Sequence, residues 1–370
     1  MVFLVQRLMT VGFVVAVAPD ELWRLTLRWD AGWYLRLAEG GYVYPNLAAD
    51  GQVKASNLAY FPLFPWLVRH LAHTGIISYG GALLAVSWLG GLLAVWAIFA
   101  VGNAWYGRGA GIGLAALWGT APASLPLTMG YPEGLFTAAA AAALLCLIRR
   151  RPILAGCCGI VAGLLRPTAV AVIAMIGAYA VVEVARWIAT RRQASGRHGI
   201  VAGDEPAPLR AVAGVLLSTA GLGAFMAYVG VRTGEVFGYF TVQGQWGQRT
   251  AGFGEYWQGM AAGLFASDSG SLVPVDIVVA LGYVALFCLI VFDRRLAWAS
   301  VYAAGVLLIT LSHITFQHVY LRQLLPAFVL LIPLVRMRVP RAGAITALTL
   351  VSIAVAWGSA LFLLDPGSAL

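Results

Sequence analysis

The sequence predicts an all-α polytopic membrane protein, and three observations carry that reading. Of 370 residues, 61% are hydrophobic and 11% charged, against roughly 25% charged in a soluble domain. The apolar residues come in long runs, and a helix needs about 20 of them to cross a bilayer. The arginines fall in short clusters between those runs, the pattern that marks cytoplasmic loops.

Taken in order, the apolar runs give spans near 1–18, 80–104, 110–128, 133–148, 152–165, 168–187, 211–231, 273–292, 297–315, 321–335 and 342–364. The count is about eleven within one integral membrane domain over 1–370. The first run contains Arg7 and ends in Ala16-Val17-Ala18, a triplet of signal-peptidase type. We read it as a retained first helix, because the orientation of the chain behind it requires one. The runs at 152–165 and 321–335 are short for spans and suit tilted or re-entrant segments as well.

Arginine then assigns sides. Arg108, Arg149 to Arg151, Arg191, Arg192 and Arg197, Arg294 and Arg295, and Arg336, Arg338 and Arg341 mark cytoplasmic loops. The alternation works only if residues 56–75 do not cross. Pro62 and Pro65 break that aromatic stretch, which suits an interfacial or re-entrant piece. Residues 190–210 form a solvated cytoplasmic connector. The external side receives loops 20–75 and 232–272, Tyr131-Pro132-Glu133, Arg166-Pro167 and His318 to Arg322.

Several function classes recede on composition. The net charge is +9, but the basic clusters lack the interleaved aromatics that stack bases, so nucleic acid is not an expected partner. Cys146, Cys157, Cys158 and Cys288 lie in apolar runs with no C-x-x-C spacing and read as small buried hydrophobes. No metal-ligand spacing is present, and neither metal nor cofactor is expected. The two hydrophobic halves show no repeat of the kind an inverted-repeat transporter carries.

Against this background the run Arg28-Trp29-Asp30-Ala31-Gly32-Trp33-Tyr34 stands out. It places a carboxylate among aromatics just after the first hydrophobic segment, where an acid beside a bilayer is costly. Arg166 and Arg322 stand on the side the charge rule disfavours, which suits anion binding. Each residue also has a plainer reading. Asp30 can cap a helix, Glu133 can complement a helix dipole, and Arg166 and Arg322 can snorkel. Arg249, Gln243, Gln245 and Gln248 suit a solvated loop. Trp29, Trp33 and Tyr34 suit an interfacial belt.

The pattern Arg28-Trp29-Asp30-x-x-Trp33-Tyr34-Leu35-x-x-Ala38-x-x-Gly41-Tyr42, followed by Ala59-Tyr60-Phe61-Pro62-Leu63-Phe64-Pro65, resembles the first external loop of PIG-V-like mannosyltransferases. These belong to the GT-C class of membrane glycosyltransferases. Further matches follow in order: Tyr131-Pro132-Glu133-Gly134-Leu135-Phe136, Leu165-Arg166-Pro167-Thr168, Phe240-x-x-Gln243-x-x-Trp246-x-x-Arg249 and Arg322-x-x-Leu325-Pro326-x-Phe328. Gln323 stands where the family usually has tyrosine.

The resemblance implies a GT-C-like bundle with interfacial helices in its first external loop. It implies inverting transfer of a sugar, mannose in the family, from polyprenyl-phosphate mannose to a hydroxyl of a glycolipid, glycan or protein. Asp30 is then the candidate catalytic base. Arg322, Arg166 and Arg249 are candidates for the donor phosphate, and Trp29, Trp33, Tyr34, Glu133, Gln243 and Trp246 for substrate contact. The arginine-rich, lysine-poor composition suggests a bacterial plasma membrane with the site facing outward. The competing expectations are a transporter or flippase of a lipid-linked anion and a non-catalytic scaffold.

Overall fold

A computed structural model describes residues 1–45, 55–194, 207–246, 249–250, 258, 273–314, 319–337 and 340–365. Sixteen helices are named below in chain order. They are α1 (Val2–Val17), α2 (Arg24–Leu27), α3 (Asp30–Gly40), α4 (Leu63–Ala72), α5 (Tyr79–Tyr106), α6 (Arg108–Gly119), α7 (Glu133–Ile148) and α8 (Pro152–Gly163). They continue as α9 (Ala169–Ala194), α10 (Ala207–Thr233), α11 (Gly238–Gln245), α12 (Val273–Ile290), α13 (Ala297–Ser312), α14 (Val319–Leu324), α15 (Ile332–Arg336) and α16 (Arg341–Leu364). One antiparallel pair, Arg249 with Ile314 and Thr250 with His313, joins loop 232–272 to the end of α13.

Among the described residues, five helical stretches are long and apolar enough to cross a membrane: Tyr79–Tyr106, Ala169–Arg192, Pro208–Thr233, Arg294–Ser312 and Ala342–Leu364. Four shorter apolar helices, Val2–Val17, Glu133–Ile148, Pro152–Gly163 and Val278–Ile290, accompany them. The all-α polytopic reading therefore holds. The run 321–335 is not one span. Pro326 follows α14, a 3₁₀ turn covers Phe328–Leu331, and α15 restarts with Pro333 in its first turn. Proline removes a backbone donor and disfavours helix at the preceding residue, so two of them divide the segment. Likewise α6 stops at Gly119, ahead of Pro122 and Pro126, so 110–128 is a helix followed by a turned segment.

Polar contacts define two ends of the bundle. At one, Asp293 accepts from Arg336 at 3.1 Å, and the Arg336 guanidinium lies 5.1 Å from the Tyr106 ring centroid. Arg149 to Arg151 follow α7 at this end. At the other end gather the start of α3, the start of α7, the turn after α8, and α14. The first helix carries a buried Arg7, which donates to Gly119 O at 3.0 Å and Ser124 Oγ at 2.9 Å. It thereby pins the turned segment that leads to α7.

Small residues set the spacing between helices. A Cβ on Gly134 would lie 2.5 Å from the Gly91 backbone nitrogen, so α7 meets α5 backbone to backbone. Gly156, Gly159 and Gly163 of α8 face Gly214, Ser218 and Gly221 of α10 in the same way. Close approach through small residues is how helices gain contact in lipid, where no hydrophobic force separates protein from tail. The four cysteines are not buried as the sequence reading expected. Cys157 and Cys288 are exposed, while Cys146 and Cys158 are half-buried. Cysteine among apolar residues faces lipid as readily as it faces a core.

Among the described residues, the segment between α1 and α5 has no helix long enough to cross a membrane. It holds α2, α3 and the short α4, all too short for a bilayer. The α2–α3 corner is tight. Trp29 has φ of 53°, a backbone region that costs a non-glycine residue about 1–3 kcal/mol. Gly32 permits the turn, because a Cβ there would meet the Leu27 carbonyl oxygen at 2.3 Å.

Candidate functional site

Asp30 opens the first turn of α3, and Glu133 opens the first turn of α7. Each carboxylate lies at the positive end of its helix dipole. Asp30 is not the cap residue of α3; Trp29 holds that position. The plain reading of Asp30 as an N-cap therefore does not describe it.

Arg166 comes from the turn after α8, and Arg322 from α14. Arg322 Nη1 lies 2.5 Å from Asp30 Oδ2 and Nε 3.5 Å from Glu133 Oε1. Arg166 Nη1 lies 2.5 Å from the same Glu133 oxygen. The result is an alternating row, Asp30–Arg322–Glu133–Arg166, assembled from four separate elements. Side-chain exposure is 1% for Glu133, 8% for Arg322 and 11% for Arg166, but 25% for Asp30. The row is buried at the Glu133 end and opens toward Asp30. Taking charges out of water is expensive unless each is paired, and the alternating order supplies the pairing.

Two tyrosines complete the surroundings of Asp30. The Tyr60 hydroxyl donates to Asp30 Oδ1 at 2.8 Å. The Asp30 backbone N–H donates to the Tyr131 hydroxyl at 3.2 Å, and the Arg322 guanidinium lies 5.3 Å from the Tyr131 ring centroid. Burial, then the Asp30 charge, pushes both phenols well above the ordinary tyrosine range. Burial thus favours the neutral phenol at both positions, with Tyr60 as a donor and Tyr131 as an acceptor. Sequence reasoning quoted both within motifs but gave neither a role.

An aromatic wall adjoins Tyr60. Trp33 stacks on it at 6.1 Å between centroids, and Trp246 meets Trp33 at 4.8 Å and Tyr60 at 5.5 Å, both edge-on. Trp246 Nε1 donates to Ser56 O at 2.9 Å, which fixes the indole. Tyr34 is buried behind Tyr60, with its ring between those of Tyr60 and Phe64. Trp33 and Trp246, 213 positions apart in sequence, thus share one wall beside Asp30.

Other candidates lie elsewhere. Trp29 stands apart from the wall, with its ring 5.6 Å from Phe362 and 4.3 Å from the Arg28 guanidinium carbon. Gln243 spends its amide on the Tyr239 hydroxyl at 2.6 Å, which orders α11. Arg249 is placed by its backbone on the strand pair, and its side chain lies outside the described residues. Gln248 and His318 also lie outside them. Among the described residues, no three His, Cys, Asp or Glu side chains group closely enough to hold a metal ion.

The site can do two things chemically. Asp30 can accept a proton at the open end of the row. The two guanidiniums can hold an anion with planar, charge-assisted hydrogen bonds, for which arginine is suited better than lysine.

Solved structures of similar fold exist. The chain superposes on ArnT from Cupriavidus metallidurans bound to undecaprenyl phosphate with a TM-score of 0.51 and 14% identity, over 96% of this chain and 70% of that one. The same protein in the apo state gives 0.50 and 16%, over 90% and 60%. The Archaeoglobus fulgidus oligosaccharyltransferase in complex with Zn and sulfate gives 0.50 and 12%, over 97% and 53%. The chain thus spans between about half and 70% of the length of these proteins. No protein-family model matches the sequence, and no curated protein matches it. At these identities the likeness is one of fold.

Proposed function

We propose that this protein is an inverting membrane glycosyltransferase that draws its sugar from a polyprenyl-phosphate donor. One observation carries the reading: Asp30, Arg322, Glu133 and Arg166 converge from four elements into one row that ends in a partly open carboxylate. The GT-C-type fold supports it, as does undecaprenyl phosphate bound to a protein of that fold.

In this mechanism the acceptor hydroxyl attacks the anomeric carbon from the face opposite the phosphate. Its C–O bond forms as the bond to phosphate oxygen breaks, and the configuration inverts. The hydroxyl proton passes to Asp30, a contribution worth about 10²–10⁴-fold for a positioned base. The polyprenyl phosphate departs with the bonding electrons, and Arg322 and Arg166 take up its growing charge. Arg322 is the more direct of the two, because it already bridges both carboxylates. Glu133 keeps the two guanidiniums side by side against their mutual repulsion. Trp33 and Trp246 offer aromatic faces to the sugar or the lipid chain.

The motif resemblance makes mannose the favoured sugar and a glycolipid, glycan or protein hydroxyl the acceptor. The arginine clusters at the opposite end of the bundle favour a site on the external face of a plasma membrane.

Protein reconstituted in proteoliposomes tests the reading, with radiolabelled polyprenyl-phosphate mannose as donor and a membrane-lipid extract as acceptor. Transfer is expected, and Asp30→Asn is expected to abolish it while leaving the thermal unfolding temperature within a few degrees. Full turnover by Asp30→Asn would remove the base assignment. A cysteine introduced at Glu39 should react with an impermeant maleimide added outside the cell; reaction only after permeabilisation would reverse the sidedness.

A further inference from the structure

Trp29 combines an aromatic side chain with a backbone that favours glycine. Its φ is 53°, and the next residue is Asp30. Left-handed backbone in a bulky residue persists only where neighbours enforce it. The neighbours here come from the far end of the chain. The Trp29 ring packs on Phe362, in the last turn of α16. Arg28, stacked on Trp29, donates to the carbonyls of Leu363 and Asp365. Arg24 donates to Leu363 O at 3.2 Å and Leu364 O at 3.0 Å.

Those carbonyls belong to a helix C-terminus, where they lack donors within the helix and carry its partial negative charge. Two guanidiniums are suited to both needs. The helix itself packs along α1 and turns most of its surface outward. Among the described residues, none of its side chains joins the charged row or the aromatic wall. Its end meets the site at the Trp29 corner.

We infer that the C-terminal end of α16 is a positioning element for Asp30. Phe362 and the carbonyls of Leu363 and Leu364, gripped through Trp29, Arg28 and Arg24, hold the turn that aims the Asp30 carboxylate at Arg322. The inference rests on the reading of Asp30 as the base, and Trp29 and Phe362 are positioning residues in it.

The test compares wild type, Phe362→Ala, Trp29→Gly and the double variant in proteoliposomes. Two readouts are taken: kcat and donor KM with polyprenyl-phosphate mannose, and amide hydrogen exchange of the 28–36 peptide. Phe362→Ala should lower kcat by about 10- to 100-fold, as misplacing a reacting group does, with donor KM changed by less than about twofold. Exchange in 28–36 should rise. Adding Trp29→Gly, which adopts the same turn without strain, should recover much of kcat and slow exchange again. A role in packing alone predicts instead that the double variant gains no activity over Phe362→Ala. Wild-type kcat and exchange in Phe362→Ala, or no recovery of kcat in the double variant, would overturn the inference. If Phe362→Ala fails to fold, Phe362→Leu replaces it under the same criteria. Absence of transfer by wild type would count against the donor reading, while the exchange pattern would still decide the positioning role.

Discussion

Arg322 Nη1 lies 2.5 Å from Asp30 Oδ2, joining α14 to α3 across 292 positions of sequence. The same guanidinium turns its Nε toward Glu133 at 3.5 Å. It is therefore the member of the row that both carboxylates share. Arg322→Lys keeps the charge but loses the planar fork, so it cannot span both acids. We expect turnover to fall by at least about 10²-fold, in the range seen when one stabilising donor is removed. The comparison is initial rate at saturating donor in proteoliposomes. A lysine variant within threefold of wild type would show that charge alone suffices.

Glu133 is the most buried of the four and serves two arginines through one oxygen. Glu133→Gln leaves two guanidiniums facing each other in a site closed to water. Removing one partner of a buried pair costs about 3–5 kcal/mol, so this variant should unfold at a markedly lower temperature than Asp30→Asn. A second substitution, Arg166→Met, should restore part of the loss by removing the repulsion. Thermal unfolding in detergent reads both effects, and equal midpoints for Glu133→Gln and Asp30→Asn would refute the ranking.

Tyr60 gives Asp30 one hydrogen bond and the wall one ring. Tyr60→Phe separates these roles, since the ring stays against Trp33 and Trp246. Losing a hydrogen bond to a charged group costs about 1.5–3 kcal/mol, so turnover should fall by about ten- to a hundredfold. Donor KM should change little. A change in KM alone would assign Tyr60 to the wall rather than to the base.

The buried phenols predict a response to alkali. Tyr34, Tyr60, Tyr131 and Tyr239 are all raised above the ordinary tyrosine value, with burial the largest cause in each. A raised folded value means that the folded state holds its protons longer than the unfolded chain. Stability is then complete below the unfolded phenol value of about 10 and declines as pH rises above it. Phenolate absorbance should show these tyrosines ionising late and together with loss of helix signal. Gradual ionisation with helix content intact would contradict their burial.

Gly134 tests the placement of Glu133. A methyl group there would lie 2.5 Å from the Gly91 nitrogen, so Gly134→Ala must push α7 away from α5. Overpacking of this kind costs about 1–3 kcal/mol. Because the next residue toward the site is Glu133, activity should fall further than the stability loss explains. Gly177, where added atoms meet nothing within 4 Å, is the control: Gly177→Ala should leave both unchanged.

Much of this architecture was legible beforehand. Hydropathy located most helices because lipid requires apolar surface whatever the neighbours are. The arginine clusters and the order of motifs nominated Asp30, Glu133, Arg166 and Arg322 as residues of one face. What hydropathy does not register is interruption by proline, so 321–335 and 110–128 read as longer helices than they form. Side-chain roles were harder. Tyr60 and Tyr131 gain theirs from contacts 30 and 101 positions away along the chain. Trp29 looked equivalent to Trp33, yet its backbone turn sends it to the last helix. Neighbouring aromatics in sequence diverge whenever a corner intervenes.

Two acids and two arginines sum to zero, so this cluster casts little field into the surrounding water. On the proposed donor reading, an anionic lipid is not drawn to this row over long range and meets the guanidiniums at contact. Ionic strength, which damps only exposed charges beyond a Debye length of about 8–10 Å, should then leave the rate of donor capture nearly untouched.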